Sequence, residues 1–517
     1  MVDKEKKFLL AVDFGSTSLV ACIFDLKTNL LVKASTKVPY IHLPEGGLEI
    51  NPEELWDAFV NTMKNALKKA EISALNIKAF GFCTQRGTFM LWNKNNGEPY
   101  TNFISWQDNR CRNVVDRMNH CWTKKAINVF GTIMYTLLRQ TRFLLMKAIN
   151  FEANQASMKL IHFFDDNPDI KQAAYEGDVL FGTIDTYIIW RLSKRKLHLT
   201  DISCASGTAM FDPYLRKWSD ICPLLFDVSL SVFPELTDTS GHILDVPEEI
   251  FGASFPLTSV VADTQATVFG LNGFNAGDAC AVLGTGSFLM VNTGNYCHAS
   301  VKGVYPQIGW QIKDEVALIC EGNITGIAPS IEWAREIGLY ENVNELSDFV
   351  KTVEGTDGMY FIPAFNGLSA PYRDPFACTG FIGIKRNGTK VQMARAVCEG
   401  IAFRFLEMYN VMREETHIPF EPVIRLCGGI SKNDFIMELI SSLADCTIER
   451  AYNHDTSCLG AACLAGLAAG VWKDKEEMMQ HTQKPTIIKP DPILKQRYLP
   501  IYKEWKTAAK RCLKWYT

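Results

Sequence analysis

The chain has 517 residues, 47% of them hydrophobic, which exceeds what one hydrophobic core usually holds, so two large domains are expected. A net charge of −4 gives no electrostatic footprint for nucleic acid, and the basic run Lys194-Arg195-Lys196 is too short to supply one. Sixteen cysteines without a C-x-x-C pair, nine histidines without metal-ligand spacing, a charged Met1 to Lys7 and no apolar run of about 18 residues argue against a disulfide scaffold, a zinc site, a signal peptide and a membrane segment.

In chain order, Phe8 to Val12 and Leu19 to Phe24 are apolar runs joined at Gly15 and read as a β-hairpin tipped by Asp13-Phe-Gly-Ser-Thr-Ser. Gly15 permits a sharp turn, and the amides and hydroxyls of Ser16, Thr17 and Ser18 can hydrogen-bond phosphate oxygens. Asp13 adds a carboxylate suited to a hydrated Mg²⁺ beside such phosphates. Asn51-Pro52-Glu53-Glu54 reads as the capped start of a helix, with Leu55, Phe59, Met63 and Leu67 on one face. Ala79 to Cys83 is a short strand ending at Thr84-Gln85-Arg86-Gly87, and strand ends in α/β sheets commonly face ligands.

Ser259 to Ala262 is a further strand, with Asp263 just past it in a position to accept a substrate proton. The domain boundary is expected near residue 262, giving domains 1–262 and 263–517. Ala281 to Val291 repeats the order strand, glycine turn, strand around Gly284-Thr285-Gly286-Ser287. Lys390 to Glu415 reads as a long helix with Met393, Val397, Ile401, Phe405 and Met408 on one core face. Val423 to Cys427 reads as a buried strand leading into Gly428-Gly429, followed by helices at Asn433 to Leu443 and Thr456 to Ala469, the second rich in Ala and Gly. The whole is an α/β alternation in two halves.

Two phosphate-sized turns, one in each half, suggest a nucleotide held between two lobes. Phosphoryl transfer needs a phosphate cradle, a divalent cation and a group that orients the attacking hydroxyl, and the chain has a candidate for each. No G-x-x-x-x-G-K-[ST] motif is present, which disfavours the P-loop class. Singly, each signal has a plainer reading. A D-x-G-S/T turn is more often a hairpin turn, Gly428-Gly429 a tight turn, Asp263 a helix cap and Arg86 a salt-bridge partner. Trp106 and Phe288 alone would be core aromatics, and Asp185 in Gly-Thr-Ile-Asp-Thr stabilises a turn or helix start.

Taken in order, these motifs resemble the FGGY carbohydrate kinases, within the α/β two-domain actin, hexokinase and heat-shock ATPase fold of duplicated ribonuclease H-like domains. The likeness runs from about Leu9 to the C-terminus and is closest to the glycerol kinases, in the divergent branch called glycerol kinase 5. It also includes Trp106-Gln107-Asp108, Asp263-Thr-Gln-Ala, Gly284-Thr-Gly-Ser-Phe288, Pro363-Ala-Phe-Asn-Gly-Leu368 and Cys427-Gly-Gly through Asn433. The resemblance implies ATP and Mg²⁺, with Asp13 organising the metal and Gly15, Ser16, Thr17 and Ser18 facing the transferred phosphate. Gly284, Thr285 and Gly286 would meet the ATP phosphates, and Gly428, Gly429 and Asn433 would border the adenosine. Asp263 would be the base, and Arg86, Trp106, Asp263 and Phe288 would hold a small polyol. Glycerol kinases typically carry Glu where this chain has Gly87, a Tyr near Asn154, an Asp at Cys427 and an Arg at Val20. These departures leave open glycerol, another polyol or sugar, or a nucleotide-binding regulatory role. The scattered cysteines, with no signal peptide or membrane-length apolar run, make a soluble cytoplasmic protein the expectation, with room for a homo-oligomer.

Overall fold

β1 (Phe8–Phe14) and β2 (Ser18–Asp25) pair antiparallel, and β3 (Leu30–Lys37) extends the meander. The protein is seen in a computed structural model that describes residues 6–284, 286–452 and 455–516. The chain divides into two units, neither of them contiguous. The first comprises Met1–Asn272, Gln307–Leu318 and Asp455–Gln483; the second comprises Gly273–Pro306, Ile319–His454 and Lys484–Thr517.

In the first unit, α1 (Pro52–Ala70) starts where Asn51 Oδ1 accepts from the amides of Glu53 (2.9 Å) and Glu54 (3.2 Å). Its Leu55, Phe59 and Met63 are buried, and Phe59 lies 5.4 Å from the Phe14 ring. β4 (Ile77–Thr84) pairs parallel with β1. Later come α2 (Trp122–Leu138), α3 (Thr141–Lys147), β5 (Ser240–Val246), β6 (Phe255–Ala262) and α4 (Asp263–Gly270). The six-stranded sheet runs β5-β6-β4-β1-β2-β3, with β6, β4 and β1 mutually parallel at its centre. Those three strands are near-continuous apolar runs because a parallel sheet is covered on both faces. Their carboxyl ends fall together, Asp13 opposite Cys83 and Ala262 opposite Thr84. A second sheet of five strands in this unit carries Phe89–Asn93 and Phe103–Ile104, which lead into Trp106.

In the second unit, β7 (Ala279–Leu283) and β8 (Ser287–Gly294) form the second hairpin. α5 (Lys390–Thr416) is buried on most of its circumference rather than on one stripe. Its interior position forces charged residues to pair: Arg395 with Glu399 at 2.9 Å and Arg404 with Glu407 at 2.6 Å. β9 (Val423–Cys427) pairs parallel with β7, α6 (Asp434–Ala444) follows, and β10 (Thr447–Arg450) pairs parallel with β9. Then α7 (Thr456–Ala468) belongs to the first unit again. Its small residues let backbones touch. A Cβ at Gly81 would collide with the Ala461 carbonyl, and one at Gly460 with the Ala266 carbonyl.

Candidate active site

In the first unit, Asp13, Arg86 and Asp263 arise at the carboxyl ends of β1, β4 and β6, the edge at which open α/β sheets bind ligands. Asp13 Oδ2 accepts from Ser457 Oγ at 2.6 Å, while its Oδ1 is buried with no hydrogen-bond partner among the described residues. Burial raises the Asp13 pKa above the usual carboxylate range, and the Ser457 hydroxyl and Cys83 thiol oppose that shift. Beside it, Lys33 Nζ meets Asp455 at 2.5 Å.

The turn after Asp13 is held by Gln85. Its amide donates to the Phe14 carbonyl at 2.9 Å, and its Nε2 donates to the Gly15 carbonyl at 3.3 Å. Ser16 Oγ accepts from the Trp106 indole at 2.9 Å, and Trp106 N donates to Thr88 Oγ1 at 3.1 Å. Thr88 Oγ1 in turn reaches Gln85 Oε1 at 3.3 Å. One network thus joins Gly15, Ser16, Gln85 and Trp106. Thr17 is exposed at the tip and Ser18 opens β2.

Trp106 is fixed from behind by Lys159, which is 1% exposed and donates through Nζ to the carbonyls of Trp106 (2.7 Å) and Asn154 (3.2 Å). Burial lowers the Lys159 pKa to about 8, so the ammonium loses its proton above that pH. The charged form is the stronger donor but the costlier one to bury. Raising the pH through about 8 is therefore expected to raise KM for a ligand bound against Trp106. Stability should rise over the same pH range, because the unfolded lysine keeps its proton up to its ordinary range and so binds more protons than the folded one. Lys159→Met should raise KM about tenfold and abolish the pH step, since about 1.4 kcal/mol of positioning is lost. A steady-state KM profile against pH, with no step lost in the variant, would show that Lys159 does not position Trp106.

Arg86 Nε lies 3.8 Å from Asp263 Oδ1, and Asp263 Oδ1 also accepts from the Thr264 amide at 2.7 Å. Gly207 leaves room for the Arg86 stem, because a Cβ there would come within 2.9 Å of Arg86 Cδ. Behind Asp263, the Ala262 amide donates to Ser203 Oγ at 2.9 Å, and Ser203 donates to the buried Asp201. Burial pushes the Asp201 carboxyl up to about 7. Asp185 accepts from Thr200 Oγ1 at 2.6 Å and from the Asp201 amide at 3.2 Å, a structural use. Gly87 adopts φ +72, and a Cβ there would sit 3.5 Å from the Asn154 carbonyl and 3.6 Å from Trp106 Cβ, so Asn154 does lie beside Gly87.

The second unit holds the other turn residues. Ser287 Oγ donates to the Gly284 carbonyl at 3.1 Å, and Phe288 packs over Gly286, whose added Cβ would come within 2.8 Å of the ring. Thr285 lies outside the described residues. Gly428 has φ +101, and a Cβ there would collide with the Leu283 carbonyl, which brings Gly428-Gly429 to the end of β7 beside Gly284. Asn433 caps α6 by accepting from the Ile436 amide at 3.1 Å, while its Nδ2 is buried with no hydrogen-bond partner among the described residues. Val20 is buried on β2 and Cys427 on β9. Among the described residues no group of three His, Cys, Asp or Glu could hold a metal alone.

The family description "FGGY family of carbohydrate kinases, N-terminal domain" matches residues 8–270, and its C-terminal counterpart matches residues 279–469. The chain belongs to the FGGY family of carbohydrate kinases. It is 38% identical to glycerol kinase 5 of Danio rerio, over 99% of this chain and 98% of that protein. It is 38% identical to glycerol kinase 5 of Homo sapiens, over 98% of this chain and 96% of that protein. Among solved structures, Plasmodium falciparum glycerol kinase with ADP superimposes with a TM-score of 0.88 at 26% identity, covering 98% of this chain and 99% of the other. The FGGY chain is thus an ATP-dependent carbohydrate or glycerol kinase with the actin/hexokinase-like fold. No helix among the described residues is long and apolar enough to cross a membrane.

Three residues that serve this FGGY site had no role assigned from sequence. Ser457 stands 444 positions from Asp13, a separation no local pattern spans. Gln85 lies at the strand end Thr84-Gln85-Arg86-Gly87, where the sequence alone does not reveal its bonds to Phe14 and Gly15. Lys159 left one signal, a lysine inside the buried run Ala156–Ile161.

Proposed function

We propose that this kinase phosphorylates glycerol, giving sn-glycerol 3-phosphate and ADP, with Asp263 as the base. The observation that carries the reading is the approach of Arg86 to Asp263 at the ends of parallel strands, with Asp13 on the next strand. Asp263 would accept the proton of the terminal hydroxyl as it attacks the γ-phosphate of ATP in line, and Arg86 would hydrogen-bond the acceptor's hydroxyls. Trp106 would give the carbon chain an apolar wall. Ser16, Thr17, the Gly15 and Ser18 amides, Gly284, Thr285 and Gly286 would bind phosphate oxygens, and Gly428, Gly429 and Asn433 the adenosine.

Mg²⁺ would be held by Asp13, because a buried carboxylate oxygen without a partner suits an ion that takes one or two carboxylates plus phosphates and water. When bound, Mg²⁺ neutralises charge on the transferring phosphoryl group. Ser457 orients the carboxylate from behind through Oδ2.

Gly87 favours a second acceptor, since without the carboxylate usual there a larger or differently hydroxylated polyol can use the space. A panel of polyols and sugars with coupled ADP detection decides between them by kcat/KM. Glycerol ranking far below another acceptor would replace it, and ATP binding without turnover on any acceptor would make the protein a nucleotide-binding regulator. Gly87→Glu is a sharper probe. Neighbours at 3.5 and 3.6 Å leave ordinary contact distance for a Cβ, while the positive φ imposes strain of about 1 kcal/mol. If glycerol is the acceptor, the variant should lower KM for glycerol and melt at a lower temperature. An unchanged KM would mean that hydroxyls do not reach this position.

A further inference from the structure

Between Asp116 and Glu152 the chain has no acidic residue, yet it carries six cations, Arg117, Lys124, Lys125, Arg139, Arg142 and Lys147, within a protein of net charge −4. Residues 122–147 of this stretch form the helical hairpin of α2 and α3; Arg117 precedes it and pairs with Asp165 at 2.5 Å, and Arg142 pairs with Asp212 at 3.0 Å. Gly131 faces α3, where a Cβ would meet Phe143 O, Met146 Cβ and Lys147 N within 3 Å. Phe130 also meets the Phe143 ring edge-on at 6.2 Å. The pattern of α2 is inverted relative to a helix that covers a core. Lys124 is 8% exposed, with Nζ donating to the Asn119 carbonyl, while Trp122 is 82%, Val129 59%, Ile133 53% and Leu137 71% exposed. At about 100° per residue those four apolar side chains share one stripe, widened by Phe130.

An exposed apolar stripe of this width marks a docking surface, and charge decides its occupant. A second copy would set the exposed Lys125, Arg139 and Lys147 against the same three cations. A bilayer with anionic headgroups offers an apolar layer for the stripe and negative charge for Lys125, Arg139 and Lys147 at its margins, with Trp122 suited to the interface. We propose that the hairpin of α2 and α3 lays this stripe on an anionic membrane surface, a peripheral attachment separate from the kinase site.

The full-length protein is tested by co-sedimentation with vesicles of phosphatidylcholine alone, and of phosphatidylcholine with phosphatidylserine in roughly 7:3 proportion. It should sediment with the mixed vesicles and much less with the neutral ones, and the difference should shrink as salt rises. Lys125→Glu should weaken binding at least about fivefold, the equivalent of one headgroup interaction. Ile133→Gln with Leu137→Gln should weaken it at least about tenfold. Both changes lie on exposed surface, so turnover and melting temperature should match the parent and report an intact fold. Equal sedimentation with both vesicle types, or retained binding by both variants, overturns the proposal. So does a dimer in light scattering that Ile133→Gln with Leu137→Gln dissociates, which would make the stripe a contact between copies.

Discussion

Asp263→Asn is expected to lower kcat by about 10²–10⁴-fold, the usual contribution of a positioned proton acceptor. The amide keeps the size of the side chain and can still accept from the Thr264 amide, so α4 should start where it does now. ATP affinity, followed by nucleotide fluorescence or calorimetry, should be unchanged, because the nucleotide contacts proposed above lie elsewhere. The fall should appear in kcat more than in KM, since the proton moves only as the bond forms. Turnover within a few-fold of the parent would remove Asp263 as the base. A loss of ATP binding of the same size would instead mean that the substitution disturbed the fold.

Asp13→Asn should separate activity from stability. As the proposed metal ligand, Asp13 contributes a charge that amide nitrogen cannot replace, so turnover at fixed Mg²⁺ should fall by about 10²-fold or more. The carboxylate also carries a desolvation penalty, with Oδ1 unpartnered and the pKa raised. Its neutral isostere can still accept from Ser457, so the variant should melt at a higher temperature than the parent. A variant that loses turnover and also melts lower would show that Asp13 chiefly supports structure. Full turnover would remove it from metal binding altogether.

Local chemistry was legible in the sequence wherever it was written within about ten residues. The hairpin around Gly15, the Asn51 cap and the strand-to-helix junction at Gly428 all appear in the structure, because turn glycines and capping side chains act on their own neighbours. The helix Lys390–Thr416 was legible in extent but not in environment. Its apolar stripe predicts one buried face, whereas paired Arg395, Glu399, Arg404 and Glu407 allow burial on nearly every side. The site was legible as a list of side chains with no supporting framework. Gln85, Ser457 and Lys159 bind the candidates together through contacts between distant segments, and an unaligned sequence carries no record of such pairings. The exposed stripe of α2 was missed for a different reason: an amphipathic period says that a helix has an apolar face, not which way that face points.

The return of α7 to the first unit bears on how this protein can be made and shortened. The strands β1, β4 and β6 are all synthesised before residue 263, but the helix that closes over Gly81 and Ala266 is made only after the whole of β7 to β10. Until then the Asp13 carboxylate lacks its Ser457 partner and one face of the sheet has no cover. A nascent or recombinant fragment ending before residue 455 would therefore present that bare apolar face to chaperones rather than fold as a domain. A chain cut between residues 434 and 455 would keep every residue given a catalytic or ATP-binding role and still deny the first unit the helix that packs on Gly81 and holds Asp13.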